Sequence, residues 1–100
     1  MTVYVDNVRI PATVGRHTSE WCHLVADTSE ELEAFARRLR LQHSWIQHKG
    51  TWSEHYDLTA GKRRQAVALG AVELSIMEAG ERLRSRQAEM GPRRIAPRNV

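Results

Sequence analysis

The chain has 100 residues and a formal net charge of +3, and 41% of its residues are hydrophobic. That length fits one domain with one core. The apolar fraction excludes a chain disordered throughout, and no apolar run approaches the roughly 20 residues that a membrane helix needs.

Met1 to Asp6 has no basic region followed by an apolar stretch, so it does not read as a secretory signal. Thr2 to Asp6 instead alternates in the manner of a strand, with Val3 and Val5 on one face and Tyr4 and Asp6 on the other. Asn7 to Glu20 reads as a long loop holding Pro11 and Gly15, with a short extra strand within Val8 to Val14. Trp21 to Ala26 is a second strand, and period-two alternation separates Trp21, His23 and Val25 from Cys22, Leu24 and Ala26. Cys22 is the single cysteine, so an internal disulfide is excluded and a reducing cytoplasm is the expected compartment.

Thr28-Ser29-Glu30-Glu31 fits a helix capping box, and Leu32, Phe35, Ala36 and Leu39 follow on one face. Glu30 and Glu31 at its start and Arg37, Arg38 and Arg40 at its end suit the helix dipole. His43 to His48 is the next expected strand, which makes Trp21 to Gln47 a β-α-β unit with a right-handed crossover if its strands are parallel. His55 to Leu58 is a short extended piece. Thr59 then caps a long helix with a wide apolar face from Ala66 to Met77, narrowing to Leu83. Gly70 within it reads as a close-packing position or a break.

The last ten residues, Gly91 to Val100, hold three arginines and no acid. Without them 12 of the 15 basic residues face 12 acidic ones, so the folded part is neutral and the basicity belongs to a tail. Its glycine, prolines and lack of periodicity predict a mobile segment. The expected plan is an α/β (or α+β) domain over residues 1–90, with one small mixed sheet and two main helices in the order β-β-α-β-β-α.

The residues that could carry chemistry gather at element ends. Asp6 closes the first strand and Asp27 the second, where ligands of open α/β sheets bind. His55 and Asp57 flank Tyr56 and so project the same way, as a carboxylate orienting an imidazole does, or as two metal ligands do. His23 is a further base or ligand candidate. Each of these has a plainer structural reading as a cap, turn or surface residue. Cys22 reads as a small core residue, and the five histidines match no zinc spacing, so no metal site is predicted. Lys62, Arg63 and Arg64 oppose the dipole at a helix start, which points to a bound phosphate, or else to pairing with Glu73 and other acids. Trp21 and Trp45 are expected in the core, and Trp52 as an exposed stacking candidate.

Three stretches carry a family resemblance. They are Val3-Tyr4-Val5-Asp6; Trp21 to Thr28 running into Glu31-Leu32; and His55-Tyr56-Asp57-Leu58-Thr59 leading through Lys62-Arg63 to Ala66–Ala71. With Trp45 and Gln47 they resemble the bacterial and phage domain-of-unknown-function family 4031, over about Val3 to Leu74. This chain departs from the family pattern at Glu33, where a histidine is common, and at Arg40, where a glycine is common. The resemblance implies a phage or bacterial cytoplasmic protein and brings no mechanism.

Two kinds of function follow as expectations. One is a polar strand-end site for a phosphate-containing ligand, a nucleotide or nucleic acid, with hydrolysis as the reaction such a site could carry. It would use Asp6, His23, His55 and Asp57 as reacting groups, His55 oriented by Asp57 as acid or base, and Asp27, Lys62, Arg63 and Trp52 as ligand contacts. The other is a non-catalytic module that binds a host protein through the Asn7–Glu20 loop, Trp52 and the tail. Direct DNA binding through the helix start at Lys62–Arg64 conflicts with the neutral body. Oligomeric state is left open, a homodimer included.

Overall fold

The computed structural model describes residues 2–95, and side chains up to residue 90. The elements in chain order are β1 (Val3–Val5), β2 (Ile10–Val14), β3 (His17–Ala26), α1 (Ser29–Arg38), a 3-10 turn (His43–Trp45), β4 (Tyr56–Leu58), α2 (Ala60–Ala68), β5 (Val72–Glu73) and α3 (Ile76–Ile95). This is an α+β domain with one mixed five-stranded sheet.

The central strand is β3. Leu24 pairs with both Val5 and Tyr56, so β1 and β4 flank it, each antiparallel. β5 lies parallel to β1, with Tyr4 opposite Val72. Alternation then sorts the side chains. Val5, Cys22, Leu24, Ala26, Tyr56 and Leu58 point to one face and are buried there against Leu32, Phe35, Ala36 and Leu39 of α1 and Ala66 of α2. Tyr4, His23, Val25 and Asp57 fall on the opposite face. α3 crosses that face, where the Arg82 guanidinium lies 5.0 Å from the Tyr4 ring centroid.

Helix α1 starts as expected: Thr28 accepts from the Glu31 amide at 3.1 Å and donates to its carboxylate at 2.8 Å. It ends in a Schellman motif, in which Arg40 and Leu41 donate to Arg37 and Ala36 with Arg40 at φ 60°.

Four sequence expectations are corrected. The Asn7–Glu20 loop is a hairpin, because Gly15 at φ 61° takes the first central position of a two-residue turn joining Val14 to His17. The short extra strand expected within Val8 to Val14 is β2, in which Ile10, Ala12 and Val14 alternate with Pro11 and Thr13, and all five of its residues are exposed. The His43–His48 strand is absent. Ile46 closes a 3-10 turn onto His43, and only Gln47 makes a bridge, antiparallel to His55. There is therefore no β-α-β unit from Trp21 to Gln47, and β4 runs antiparallel to β3. Trp45 is 51% exposed rather than in the core.

The fourth correction is the long last helix, which is two. Gly70 at φ 107° ends α2 in a second Schellman motif, with Gly70 donating to Val67 and Ala71 to Ala66. The chain then contributes β5 and restarts as α3, where Ser75 and Glu78 cap each other's amides at 3.1 and 2.8 Å. The expected tail begins inside α3, whose backbone continues to Ile95; residues 96–100 lie outside those described.

Candidate functional site

Four polar residues meet on the sheet face opposite the core. Asp6 leaves β1 on this face and is 7% exposed. A carboxylate so buried needs donors, and three reach it. Its Oδ1 accepts from the His23 amide at 3.1 Å and the Val8 amide at 3.4 Å, and its Oδ2 lies 2.7 Å from His23 Nδ1. The hydrogen bond to Asp6, and its charge together with that of Asp57, raise the His23 pKa above its usual value despite the opposing effect of burial. Neutral His23 therefore carries its proton on Nδ1 and leaves Nε2 bare.

His55 is held in the same sense. Its Nδ1 lies 2.7 Å from the Ser53 carbonyl oxygen, which can only accept, so Nδ1 carries a proton and Nε2 is the bare nitrogen of the neutral ring. The loop that presents Ser53 is pinned by Glu54, a buried carboxylate accepting from the Ser29 hydroxyl at 2.7 Å and the Gly50 amide at 3.1 Å. Asp57 completes the group. Gln47 Nε2 donates to its Oδ2 at 2.5 Å, and its Oδ1 stands 3.4 Å from His55 Nε2 and 3.9 Å from His23 Nε2. The His23 and His55 rings meet edge to face, 5.0 Å between centroids.

This cluster borders a cavity of about 260 Å³ between the sheet and α3, lined by Asp6, His23, Val25, Trp52, Ser53, His55, Leu74, Ala79, Arg82 and Leu83. Arg82 is a half-buried cation donating to the Ala26 carbonyl, and among the described residues no carboxylate pairs with it. Burial and the nearby Arg86 lower its pKa from the ordinary arginine value.

The structure thus brings Asp6, His23, His55 and Asp57 together and sets Trp52 beside them. It leaves Asp27, Lys62 and Arg63 apart from the cavity. Asp27 accepts from the Tyr4 hydroxyl at 3.0 Å. Lys62 donates to the Leu39 carbonyl at 2.6 Å, and Arg63 to the Asp6 carbonyl at 3.0 Å and to Glu73 at 3.2 Å. The pairing of Arg63 with Glu73 is the plainer of the two readings weighed for that helix start. Cys22 is a core residue whose pKa is pushed up to about 11, mainly by burial. Sequence reasoning missed Glu54, Arg82 and the hold of Gln47 on Asp57. Gln47 lies two residues beyond a turn where the sequence pattern predicts a strand, and Arg82 reaches the site only because the last helix breaks.

What these elements define is a small α+β domain with one apolar sheet face and one that gathers histidines and carboxylates around a cavity. The chain belongs to the family described as "Protein of unknown function (DUF4031)", whose model matches residues 3–86. That span extends past the motifs read from sequence and takes in Arg82. No curated protein and no solved structure matches the chain.

Proposed function

We propose that the cavity between the sheet and α3 takes a phosphate-containing ligand, a nucleotide or a nucleic-acid end, and that the histidine–carboxylate face is its reactive edge. The observation that carries this reading is the lining of one cavity by a half-buried arginine, a tryptophan and two oriented imidazoles. Arg82 supplies charge for a phosphate, Trp52 a face for a base, and the cluster at 3.4–3.9 Å the acceptors for a proton. Hydrolysis there would join a water oxygen to phosphorus and release the leaving oxygen, the proton of the water passing through these acceptors. Arg82 replaces Lys62 and Arg63 as the phosphate cation because it lines the cavity and the latter two do not. We place the protein in a phage or bacterial cytoplasm, in keeping with its single buried cysteine.

The test is a panel of mono- and dinucleotides and short oligonucleotides added to the whole protein, read by NMR at the Trp52 indole and the histidine rings and by product release. Shifts at Trp52, His23 and His55 that weaken at least tenfold in Arg82→Met are expected. No shift with any member of the panel overturns the reading.

A second reading, a module that binds a host protein, is favoured by the β2–β3 arm. All of β2 is exposed, Ile10 and Val14 included, and it pairs with β3. Replacing both with threonine abolishes partner capture if this arm is the contact, and leaves the cavity untouched.

A further inference from the structure

The electrostatics of the cluster pose a problem that a ligand of a different kind solves. With both imidazoles neutral, His23 Nε2, His55 Nε2 and Asp57 Oδ1 are three acceptors facing one another, all within 4.8 Å. Nothing in such a trio attracts. Lone pairs brought this close call for a cation between them, either a proton or a metal ion. The surrounding hydrogen bonds decide what kind of site this is. Each of the three groups has its second heteroatom occupied: His23 Nδ1 by Asp6 at 2.7 Å, His55 Nδ1 by the Ser53 carbonyl at 2.7 Å, and Asp57 Oδ2 by Gln47 at 2.5 Å. Donation of the far ring N–H to a carboxylate or a carbonyl is the arrangement that fixes tautomer and aim in metal-binding histidines.

We propose that His23 Nε2, His55 Nε2 and Asp57 Oδ1 form the three-ligand site of a divalent transition-metal ion. The inference rests on the reading of this face as a ligand site and deepens it: the three atoms described there as proton acceptors would hold an ion instead. Two imidazoles and one carboxylate suit zinc and its first-row neighbours, whereas magnesium and calcium take oxygen ligands. Bonds of about 2.1 Å place tetrahedral ligand atoms about 3.4 Å apart. The His55–Asp57 distance of 3.4 Å already meets this, the His23–Asp57 distance of 3.9 Å needs a small closure, and the two histidines, within 4.8 Å of each other, close by up to about 1.4 Å. Three protein ligands leave a coordination position open. His23 and His55 line the cavity, so that position is available to a water or to a phosphate oxygen lying toward Arg82. Spacing along the chain shows only the His55–Asp57 part of the set; His23 joins it through the pairing of β3 with β4, which sets it opposite Asp57.

The test uses the tag-free full chain, stripped with a chelator and titrated with Co²⁺ alone and then Zn²⁺. One equivalent of Co²⁺ should develop the visible bands of a low-coordinate nitrogen-ligated ion, and Zn²⁺ should displace it. His23→Ala and His55→Ala should each weaken binding at least tenfold and change the spectrum. Asp6→Asn should weaken it about tenfold or more at unchanged stoichiometry, and His43→Ala should leave it as it is. Should His23→Ala fail to fold, the wild-type protein still decides: Zn²⁺ must shift the Nε2 resonances of His23 and His55. Binding undiminished by both alanine variants, or no response of those two resonances, overturns the site. Nucleotide shifts at Trp52 without metal binding remove the metal site and leave the ligand reading intact. Metal binding without any nucleotide response supports the site while removing that reading.

Discussion

Neighbouring residues of β3 live in two different chemistries. Cys22, Leu24 and Ala26 are buried under α1 and α2, while His23 and Val25, on the same strand, face the cavity under α3. The His23 and Asp57 side chains keep 34% and 38% of their exposure. The core face is closed by two helices that end in tight left-handed turns. The opposite face is roofed by one helix whose arginines contact Tyr4, Ala26 and Asp27. The contrast teaches a division of labour: burial on one face carries stability, and the other can spend its polar groups on a site.

The sharpest way to break this contrast is to truncate adjacent residues. Leu24→Ala should cost about 2–5 kcal/mol of unfolding free energy. His23→Ala should cost roughly 1 kcal/mol, because Asp6 keeps its two amide donors. Chemical denaturation of the two variants measures the difference, and equal losses would erase the distinction between the faces.

The helices that close the core face come next. Gly70→Ala forces a side chain to φ 107° and should cost about 1–2 kcal/mol. Arg40→Gly has the opposite sign: it relieves the left-handed position at φ 60° and should stabilise by roughly 0.5–1 kcal/mol. Thermal melts of both variants should move in opposite directions.

Smaller effects belong to the polar face. The His23 pKa is raised in the folded chain, so its contribution to stability is present in full below the unfolded value of about 6.5 and is lost as pH rises through the folded value. Asp6→Asn should lower the His23 midpoint in an NMR titration and flatten this part of the stability profile. Least perturbing of all is a thiol probe. Cys22, buried and with a pKa of about 11, should resist alkylation at pH 8 until the protein unfolds.

Much of this was legible in the chain. Strict alternation placed His23 opposite Cys22 and Leu24, the Thr28 and Thr59 caps set the helix starts, and the spacing of His55 and Asp57 put both on one side. What escaped was set by single residues whose effect is conformational. Gly70 reads equally as a packing residue or a stop, and only its φ decides. The Ser75–Glu78 capping box is a usable signal for a new helix, masked by the apolar periodicity that runs across it. The turn at His43–Trp45 hid the antiparallel return that brings Gln47 and His55 together. The site itself is a product of pairing between strands, and Arg82 joins it only through the tertiary placement of α3.

The central claim, that the polar face holds two imidazoles with their Nε2 atoms bare and aimed at Asp57, can be measured directly. Long-range ¹H–¹⁵N spectra of the metal-free protein, recorded well above the His23 titration, report which ring nitrogen carries the proton. The account predicts the Nδ1–H form for both His23 and His55. An Nε2–H form at either residue would contradict it.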